Sequence, residues 1–527
     1  MTTQAQETSE IVPDHPPETD QREAIAFLMN APIEGVDDEV ERVETHAGMV
    51  FLRGDRAFKI KRAVKYDYLD FTRLDTRERM LRRELELNHR VGPQIYEDVV
   101  PITREPDGNL ALDGSGVPVE WVLQMARFSN EDEFSRIAAR KELTDPLADR
   151  LGRATAEYHT HAQPRECDGA TLIADIIEEL QVAFVTMTQE LGPARVDAFN
   201  TGCIEALERV SGLLSTRSAS GHVRRCHGDL HLSNIVLLEG CPVPFDALEF
   251  DEVLGTCDVL YDLAFLVMDL RHQRLERAAN MVLNAYLYSE RGMEDPGIEA
   301  FPLFLAVRGG IRAMICVQTD LACGTPGKSN DEARAYLDEA ISALAPPKPR
   351  LIAIGGRSGS GKTSLSRKLA PLFGAAPGAV HLRSDLERKA IFCVDPLTRL
   401  PADSYTKTVN KHVHERLRIR ADTILSTGYS VLLDAVFTTP SERVALADLA
   451  QKHGVPFDGL WLKTDASRLL ARVSARDGDA SDADETVVRL QLGVDAGSIE
   501  WTKIDASGSK EDTIALAFEA LGFEVPQ

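Results

Sequence analysis

Cysteine pairs with metal-ligand spacing are missing from this sequence. Its eight cysteines are scattered between residues 167 and 393, and none forms a CxxC pair. This spacing disfavours both a structural zinc site and a disulfide framework. Residues 1–22 also lack the basic start and apolar stretch of a secretory signal, and we expect no segment that spans a bilayer. A cytoplasmic location is therefore expected.

Positive charge is scarce as well. The chain has 59 Lys and Arg against 83 Asp and Glu, which gives a formal net charge of −24. Proteins bind polyanions mainly through Lys and Arg, so long DNA or RNA is not an expected partner. The 43% hydrophobic and 27% charged residues are ordinary for globular proteins, and 527 residues exceed what one core usually supports. We therefore expect more than one domain.

Changes in composition along the chain predict its organisation, since no internal repeat is present. The polar, acidic residues 1–22 predict a flexible tail, and the three prolines in 346–350 predict a short stiff linker. Residues 23–345 contain strand-like runs followed by long helical stretches, which favour an α+β domain. In residues 351–527, apolar runs alternate with helical patterns, which favour an α/β domain with a parallel sheet. The apolar runs lie at Leu351–Gly355, Val380–Arg383, Val431–Asp434 and Gly459–Leu462.

The clearest motif of the second half is the GxxxxGK[ST] pattern in LIAIGGRSGSGKTS, directly after an apolar strand and before a helix. The backbone N–H groups of such a loop hold phosphates at the positive end of the helix. Thr363 and Asp434, at the end of VLLDA, are expected to bind Mg²⁺, although Asp434 could be an ordinary turn residue. The residues expected to bind the phosphates of ATP are Gly356, Arg357, Ser358, Gly359, Ser360, Gly361 and Lys362.

Two further features indicate a kinase. Asp385 in RSDLERK is placed to act as general base, with Arg388 near an anionic or polyol acceptor; the alternative is that Ser384 and Asp385 cap a helix. The stretch LLARVSARDGDASDADETVVRLQ predicts two helices of a lid, the second with a capping pattern from Ser481. Arg472 and Arg476 of this lid could stabilise the transferring phosphoryl group, or could form a solvated face.

With GGRSGSGKTS, RSDLERK, VLLDAVF and the lid, residues 349–527 resemble the small P-loop kinases related to gluconate kinase, polynucleotide kinase and zeta toxins. This resemblance implies phosphorylation of a hydroxyl group on a small molecule or a nucleic-acid end. The acidic balance of the chain favours the small molecule.

The first half contains HGDxxxxN within CHGDLHLSNIV. In the analogous HRDxxxxN loop of protein kinases, the Asp accepts the proton of the acceptor hydroxyl and the Asn holds a metal ion. These roles fall on Asp229 and Asn234. Asp246 in VPFDALEFDEV follows at the place of the second metal ligand, with Glu249 and Asp251 as nearby alternatives.

A strand and a helix of the first half supply the expected phosphate-binding pair. RAFKIKR predicts a strand in which Lys59, or Lys61 on the same face, contacts the phosphates of ATP. Glu84 lies on the apolar side of the helix RERMLRRELELNHRV, where a carboxylate needs a cation, so we expect it to pair with Lys59. An exposed ion-pair helix is the alternative.

Together with CDVLYDLAFLVMDL, these motifs resemble aminoglycoside phosphotransferases, choline kinases and homoserine-kinase-like enzymes over about residues 23–345. The resemblance implies a protein-kinase-like fold that uses ATP and Mg²⁺. It also implies that Asp258 braces the catalytic loop, unless this residue only caps a helix. By its position in the strand EWVLQMARF, the backbone near residues 124–126 is expected to form hydrogen bonds with adenine. His159 and His161 are expected to be structural.

One feature departs from the pattern. Before Lys59 only Gly48 and Gly54 are present, too far apart for the glycine-rich loop that covers the phosphates in protein kinases. The leading hypothesis is a tandem phosphotransferase with two ATP sites and small hydroxylated acceptors. The alternative is one active P-loop kinase regulated by a pseudokinase-like sensor. Oligomeric state, nucleotide preference and the acceptors stay open.

Overall fold

The structure is a computed structural model, which divides into two compact units by the density of internal contacts. The first unit comprises residues 1–136, 234–236 and 243–255, and the second comprises 137–233, 237–242 and 256–527. The predicted linker at 346–350 lies inside the second unit, so the domain boundaries expected from the sequence stay a prediction. The described residues are 20–30, 39–45, 47–66, 69–475 and 480–523.

The first unit is built on a six-stranded antiparallel sheet in the order β1-β2-β3-β8-β6-β7. Along β3 the side chains alternate, so that Phe58 and Ile60 join the core while Lys59 and Lys61 face the opposite side. The elements are α1 (Arg22–Asn30), β1 (Glu41–Glu44), β2 (Gly48–Arg53), β3 (Arg56–Lys61), β4 (Lys65–Tyr66), β5 (Leu69–Asp70), α2 (Leu74–His89), β6 (Tyr96–Arg104), β7 (Leu110–Leu112) and β8 (Val117–Ala126).

The helical part of the second unit is called the helical lobe below. Its helices are α3 (Phe134–Ala139), α4 (Asp145–His161), α5 (Gly169–Thr186), α6 (Thr188–Leu191), α7 (Pro193–Ala219), α8 (Val259–His272), α9 (Glu276–Ser289), α10 (Phe301–Ala322) and α11 (Asn330–Leu344), with a 3-10 turn at Asp295–Ala300. Short strands follow α7: β9 (Val223–Arg225), β10 (Ile235–Leu238), β11 (Cys241–Pro244) and β12 (Thr256–Asp258). Residues 134–136 of α3, 235–236 of β10 and 243–244 of β11 belong to the first unit.

One apolar segment corrects the expectation that no run is long enough to cross a bilayer. Asp295–Ala322 passes that test by length and composition, with a mean hydropathy of 1.6 over its most apolar window. However, 67% of that window is buried within the protein, as in the core helices of soluble proteins. The segment is apolar because it packs among other helices of the lobe.

The remainder of the second unit is a parallel α/β fold, called the P-loop domain below. All five strands run parallel in the order β14-β15-β13-β16-β17, which confirms the predicted parallel sheet. Strand β17 was not expected from the sequence. The elements are β13 (Leu351–Gly356), α12 (Lys362–Leu369), β14 (Val380–Arg383), α13 (Ser384–Ile391), α14 (Lys407–Ser426), β15 (Val431–Asp434), α15 (Pro440–His453), β16 (Phe457–Lys463), α16 (Ala466–Ser474), α17 (Glu485–Leu492), β17 (Thr502–Asp505) and α18 (Lys510–Leu521).

Candidate functional site

The loop between β13 and α12 has the backbone that phosphate binding requires. Gly356, Gly359 and Gly361 have φ values of 143°, 85° and 96°, a region that side-chain-bearing residues rarely adopt. A Cβ atom on Gly359 would also lie 2.8 Å from the carbonyl oxygen of Leu469. The loop therefore needs glycine both for its conformation and for the close approach of α16.

Two residues expected to bind Mg²⁺ lie together at the end of this loop. The hydroxyl of Thr363 donates to Oδ2 of Asp434 at 2.5 Å, and Asp434 is buried. Burial raises the pKa of Asp434, but His381 and Lys362 outweigh it and hold the pKa below its usual value. The carboxylate is thus kept ionised, as a metal ligand must be.

Two residues beside Asp434 were not anticipated. The ring Nε2 of His381 lies 3.6 Å from Oδ2 of Asp434, and Nε of Arg383 lies 3.9 Å from the same oxygen. Both come from β14, the neighbouring strand in the sheet. His381 and Arg383 are the second and fourth residues of β14. Polar side chains inside a buried strand are the signal in the segment HLRSD that could have indicated them.

A cavity of about 560 Å³ opens over the loop, within the range of small-ligand sites. Residues that were not predicted, among them Gly508, Ser509 and Lys510, also line it. The predicted residues in its lining are Ser358, Gly359, Ser360, Gly361, Lys362, Thr363, Asp385, Asp434 and Arg472. Arg476 lies outside the described residues.

Helix α13 brings the predicted base to this cavity. Asp385 is the second residue of the helix, and the N-cap position is Arg383 rather than Ser384 or Asp385, with no side-chain capping bond. Arg388 is buried, donates to the carbonyl oxygen of Ser404 at 2.8 Å and stacks over Tyr405. Burial lowers the pKa of Arg388.

The predicted lid consists of α16 and α17, with one correction. The N-cap of α17 is Asp484, whose side chain accepts from the N–H of Val487, so the cap expected at Ser481 was wrong. The side chain of Gln491 accepts from the N–H of Ser358 at 2.8 Å and donates to its hydroxyl at 3.1 Å. This contact of α17 with the phosphate loop was missed, because glutamine carries no pattern that marks it.

In the first unit, the predicted lysine and glutamate pair directly. Nζ of Lys59 lies 2.6 Å from Glu84 Oε1 and 2.6 Å from Asp246 Oδ1. Lys61, the alternative, contacts the other oxygen of Glu84 at 2.6 Å and Glu249 at 2.5 Å. Burial lowers the pKa of Lys59, but the surrounding carboxylates outweigh this effect, so the pKa lies above its usual value. Both lysines thus share one buried glutamate, and the exposed-helix alternative for Glu84 was wrong.

The backbone around Asp246 is held by side chains of the same unit. Asp246 has a φ of 59°, a left-handed conformation that Asp tolerates better than most residues. Its N–H donates to the hydroxyl of Tyr96 at 2.9 Å, and the N–H of Ala247 donates to Asn88 at 2.9 Å. Phe245 donates to the carbonyl oxygen of Asn234 at 2.9 Å. Asp246 therefore projects a half-exposed carboxylate from a fixed backbone.

The expected adenine contacts meet one constraint. The N–H of Ala126 already donates to the carbonyl oxygen of Ile95, so it is not available to a ligand in this conformation.

In the β1–β2 turn, the N–H of Thr45 donates to the carbonyl oxygen of Gly48. Gly48 is the one glycine of this short turn, as the sequence indicated.

The HGD loop lies in the second unit, whereas Asn234 and Asp246 lie in the first. Oδ2 of Asp229 lies 3.3 Å from Nε2 of His231. Burial raises the pKa of Asp229, but the hydrogen bond from His231 and nearby positive charge outweigh this effect. The pKa therefore lies below its usual value, and the carboxylate is ionised. An ionised Asp229 is able to accept a proton.

The residue that braces this loop differs from the expectation. Asp262 is fully buried and accepts from the N–H groups of His227 at 3.1 Å and Gly228 at 2.9 Å. Asp258 instead caps α8 and pairs with Arg217, so the helix-cap alternative is correct and the brace was misassigned. The two carboxylates are one helical turn apart, which the sequence pattern alone did not separate.

Two further residues support the loop from behind. Arg308, which was not predicted, donates to the carbonyl oxygen of Gly228 at 3.1 Å. His159 is buried between Asp262, at 3.1 Å, and the hydroxyl of Tyr286, at 2.9 Å. His161, in contrast, is exposed and contacts the carbonyl oxygen of Glu157. Their surroundings agree with a structural role.

The donor groups fit Mg²⁺ and ATP in the P-loop domain. The glycine cradle leaves space for phosphate oxygens, since a Cβ on Gly361 would meet no atom of the described residues within 4 Å. Thr363 and Asp434 supply the hydroxyl and carboxylate oxygens that Mg²⁺ prefers. Bound Mg²⁺ would neutralise charge on the phosphates during transfer.

Comparisons with known proteins agree with these two sets of motifs. Residues 135–297 match the phosphotransferase enzyme family, and residues 351–494 match an AAA domain. Uncharacterised proteins of Mycobacterium bovis and Mycobacterium tuberculosis are 28% identical over 494 residues, covering 90% of this chain and 94% of theirs. Both motif-bearing halves thus occur together in these relatives.

Solved structures show weaker similarity. A choline/ethanolamine kinase family protein from Mesorhizobium loti is 17% identical and covers 61% of this chain and 98% of its own, with a TM-score of 0.36. A gluconokinase from Sinorhizobium meliloti is 21% identical and covers 33% and 92%, with a TM-score of 0.24. These values carry no conclusion about activity. By the family matches, residues 135–297 contain a domain of the phosphotransferase enzyme family, and residues 351–494 contain a P-loop domain of the AAA type.

Proposed function

We propose that this protein is a tandem ATP-dependent phosphotransferase that transfers the γ-phosphate of ATP to hydroxyl groups of small molecules at two sites. The observation that carries the proposal is the P-loop cavity, in which the glycine loop, the Thr363–Asp434 pair and Asp385 line one space. Asp385 would accept the proton of the attacking hydroxyl, and Lys362 and Arg472 would stabilise the charge of the transferring group.

For the second site, support comes from each unit by itself. Lys59, fixed by Glu84, would hold the phosphates, and Asp246 would bind Mg²⁺ together with Asn234. Asp229, ionised and contacted by His231, would accept the proton of the acceptor. The ion pair between Lys59 and Asp246 would open in this case, because Lys59 would contact a phosphate and Asp246 would contact Mg²⁺.

The acceptors are expected to be sugars, polyols, amino alcohols or antibiotic-like compounds. The acidic net charge of −24 argues against long nucleic acid as a partner. We place the reaction in the cytoplasm and propose no membrane partner.

An acceptor screen tests this function. ATP consumption by the wild type, Asp229→Asn and Lys362→Ala is measured against sugars, polyols, amino alcohols, aminoglycosides and nucleosides. The proposal expects that one set of acceptors depends on Asp229 and another on Lys362. Turnover that is unchanged in both variants would contradict it.

A second candidate function is favoured by the β1–β2 turn, which contains Gly48 but not the glycines that cover phosphates in protein kinases. In this case the kinase-like half senses a ligand and regulates the P-loop kinase. All phosphotransfer would then depend on Lys362, and Asp229→Asn would behave as the wild type.

A further inference from the structure

A buried ion-pair cluster joins the helical lobe to the P-loop domain. Arg420 of α14 donates through Nε and Nη2 to both oxygens of Asp295, at 2.7 and 2.8 Å. Its Nη1 donates to Glu387 of α13. All three side chains are buried. Removing one partner would leave an uncompensated charge inside the protein.

Packing around this cluster leaves little room. Gly292 has a φ of 84°, and a Cβ there would lie 2.9 Å from Nε of Arg420 and 3.0 Å from Asp295. The backbone of the helical lobe therefore lies directly against the guanidinium group. The geometry of Arg420 is thus set by the lobe as well as by its own helix.

A second contact joins the same two parts of the chain. Strand β14 is an edge strand of the parallel sheet, so one row of its backbone groups has no strand partner among the described residues. Asn284 of α9 accepts from the N–H of His381 at 2.6 Å, and Asn280 donates to the carbonyl oxygen of Ala379 at 3.0 Å. Side chains of the helical lobe thus bond two backbone groups at this open edge, one within β14 and one directly before it.

Both contacts act on β14 and α13, which together carry the proposed acceptor side of the P-loop site. Strand β14 places His381 and Arg383 beside Asp434, and it leads directly into α13. Helix α13 carries Asp385, which lines the cavity, two residues before Glu387. The helical lobe therefore holds this element at its edge strand and at its helix.

The same turn of chain is also anchored within the kinase-like half. Glu294, next to Asp295, accepts from Arg217 at 2.7 Å and contacts His222 at 2.7 Å. Arg217 pairs with Asp258, the N-cap of α8. Of these two consecutive carboxylates, Glu294 thus binds Arg217 of the helical lobe and Asp295 binds Arg420 of the P-loop domain.

We propose that Asp295 and Asn284 are positioning residues for the P-loop site, which fix β14 and α13 and thereby the orientation of Asp385 toward the acceptor. The P-loop phosphotransferase is then not a self-standing module, because a wall of its active site is supported by the phosphotransferase-family lobe. This inference rests on the proposed activity of the P-loop site.

The test uses the full chain with Asp229→Asn as background, so that turnover comes from the P-loop site. Asn284→Ala and Asp295→Asn are compared with Asp338→Asn, which breaks an exposed ion pair to Arg195 in the same lobe. We expect kcat to fall at least about tenfold in the first two variants, as for a misplaced catalytic group, while KM for ATP stays within about twofold. Asp295→Glu should recover part of kcat, and Asp338→Asn should match the background.

A second readout needs no acceptor. Hydrogen exchange of residues 380–391 should accelerate in Asn284→Ala and Asp295→Asn at a temperature where thermal unfolding shows each variant folded. Unchanged exchange there, or a kcat that falls only in proportion to the unfolded fraction, would overturn the inference. Absence of Lys362-dependent turnover in the background protein would instead overturn the proposed function, and the exchange result would still decide the positioning role.

Discussion

At the scale of single residues, each proposed site depends on a few oxygen atoms and cations. Motifs with fixed spacing predicted the residues of the phosphate loop and the carboxylates around it. The side chains that support these residues were not predicted. His381 and Gln491 contact residues of the P-loop site, and Arg308 contacts the HGD loop. They act through contacts between distant segments, and such contacts leave no local pattern in one sequence.

The hydroxyl of Thr363 offers a direct test of the proposed magnesium site. Thr363→Val keeps the shape of the side chain but removes the oxygen that contacts Asp434. We expect Lys362-dependent ATP turnover to fall by about a hundredfold, which corresponds to about 2.7 kcal/mol of lost transition-state stabilisation. Thr363→Ser keeps the hydroxyl and serves as the matched control, with turnover within a few-fold of the wild type. Equal turnover in both variants would show that Thr363 is not a magnesium ligand.

Glu84 tests the shared pairing of two lysines. Glu84→Gln leaves Lys59 and Lys61 with less compensation in a buried environment. We expect the free energy of unfolding to fall by about 3–5 kcal/mol, the usual cost of breaking a buried ion pair. Glu86→Gln is the control on the same helix, because Glu86 is exposed, and its effect should stay within about 0.5 kcal/mol. Urea unfolding of the purified proteins measures both.

At the scale of secondary structure elements, short apolar runs in the sequence were sufficient for four of the five strands of the parallel sheet. The runs predicted at Val380–Arg383 and Val431–Asp434 have the same bounds in the structure. Individual polar contacts were predicted less well: Asp484, not Ser481, caps α17, and Asp262, not Asp258, braces the HGD loop. Several acidic residues lie close together in each case, and only tertiary contacts select one of them.

The Glu294–Arg217 pair predicts how stability changes with acid. Burial raises the pKa of Glu294, but the contacts with His222 and Arg217 outweigh it and lower the pKa to about 2. A lowered folded pKa stabilises the protein above the unfolded value near 4.5, and this stabilisation is lost as the pH falls toward 2.

We therefore expect Glu294→Gln to reduce the free energy of unfolding by about 3 kcal/mol at pH 7. The difference from the wild type should shrink as the pH falls below about 4. Urea unfolding at several pH values measures this difference. A difference that is independent of pH would indicate lost packing instead of lost charge.

At the scale of the whole molecule, the two kinase-like domains were recognisable from sequence, but their arrangement was not. The prolines of 346–350 predict a linker between two domains, and by internal contacts the helical lobe and the P-loop domain lie in one compact unit. The contacts responsible, such as Arg420 with Asp295, join residues more than a hundred positions apart. Composition near the linker carries no information on them.

The proposed function requires two separate ATP sites in each chain, and the number of nucleotides bound per chain distinguishes two sites from one. Isothermal titration of the full chain with Mg²⁺ and a non-hydrolysable ATP analogue should give two nucleotides bound per chain. Lys362→Ala and Asp246→Asn, each at a different site, should both reduce this number to one. One nucleotide per chain in the wild type, lost entirely in Lys362→Ala, would contradict the account and leave the P-loop as the sole ATP site.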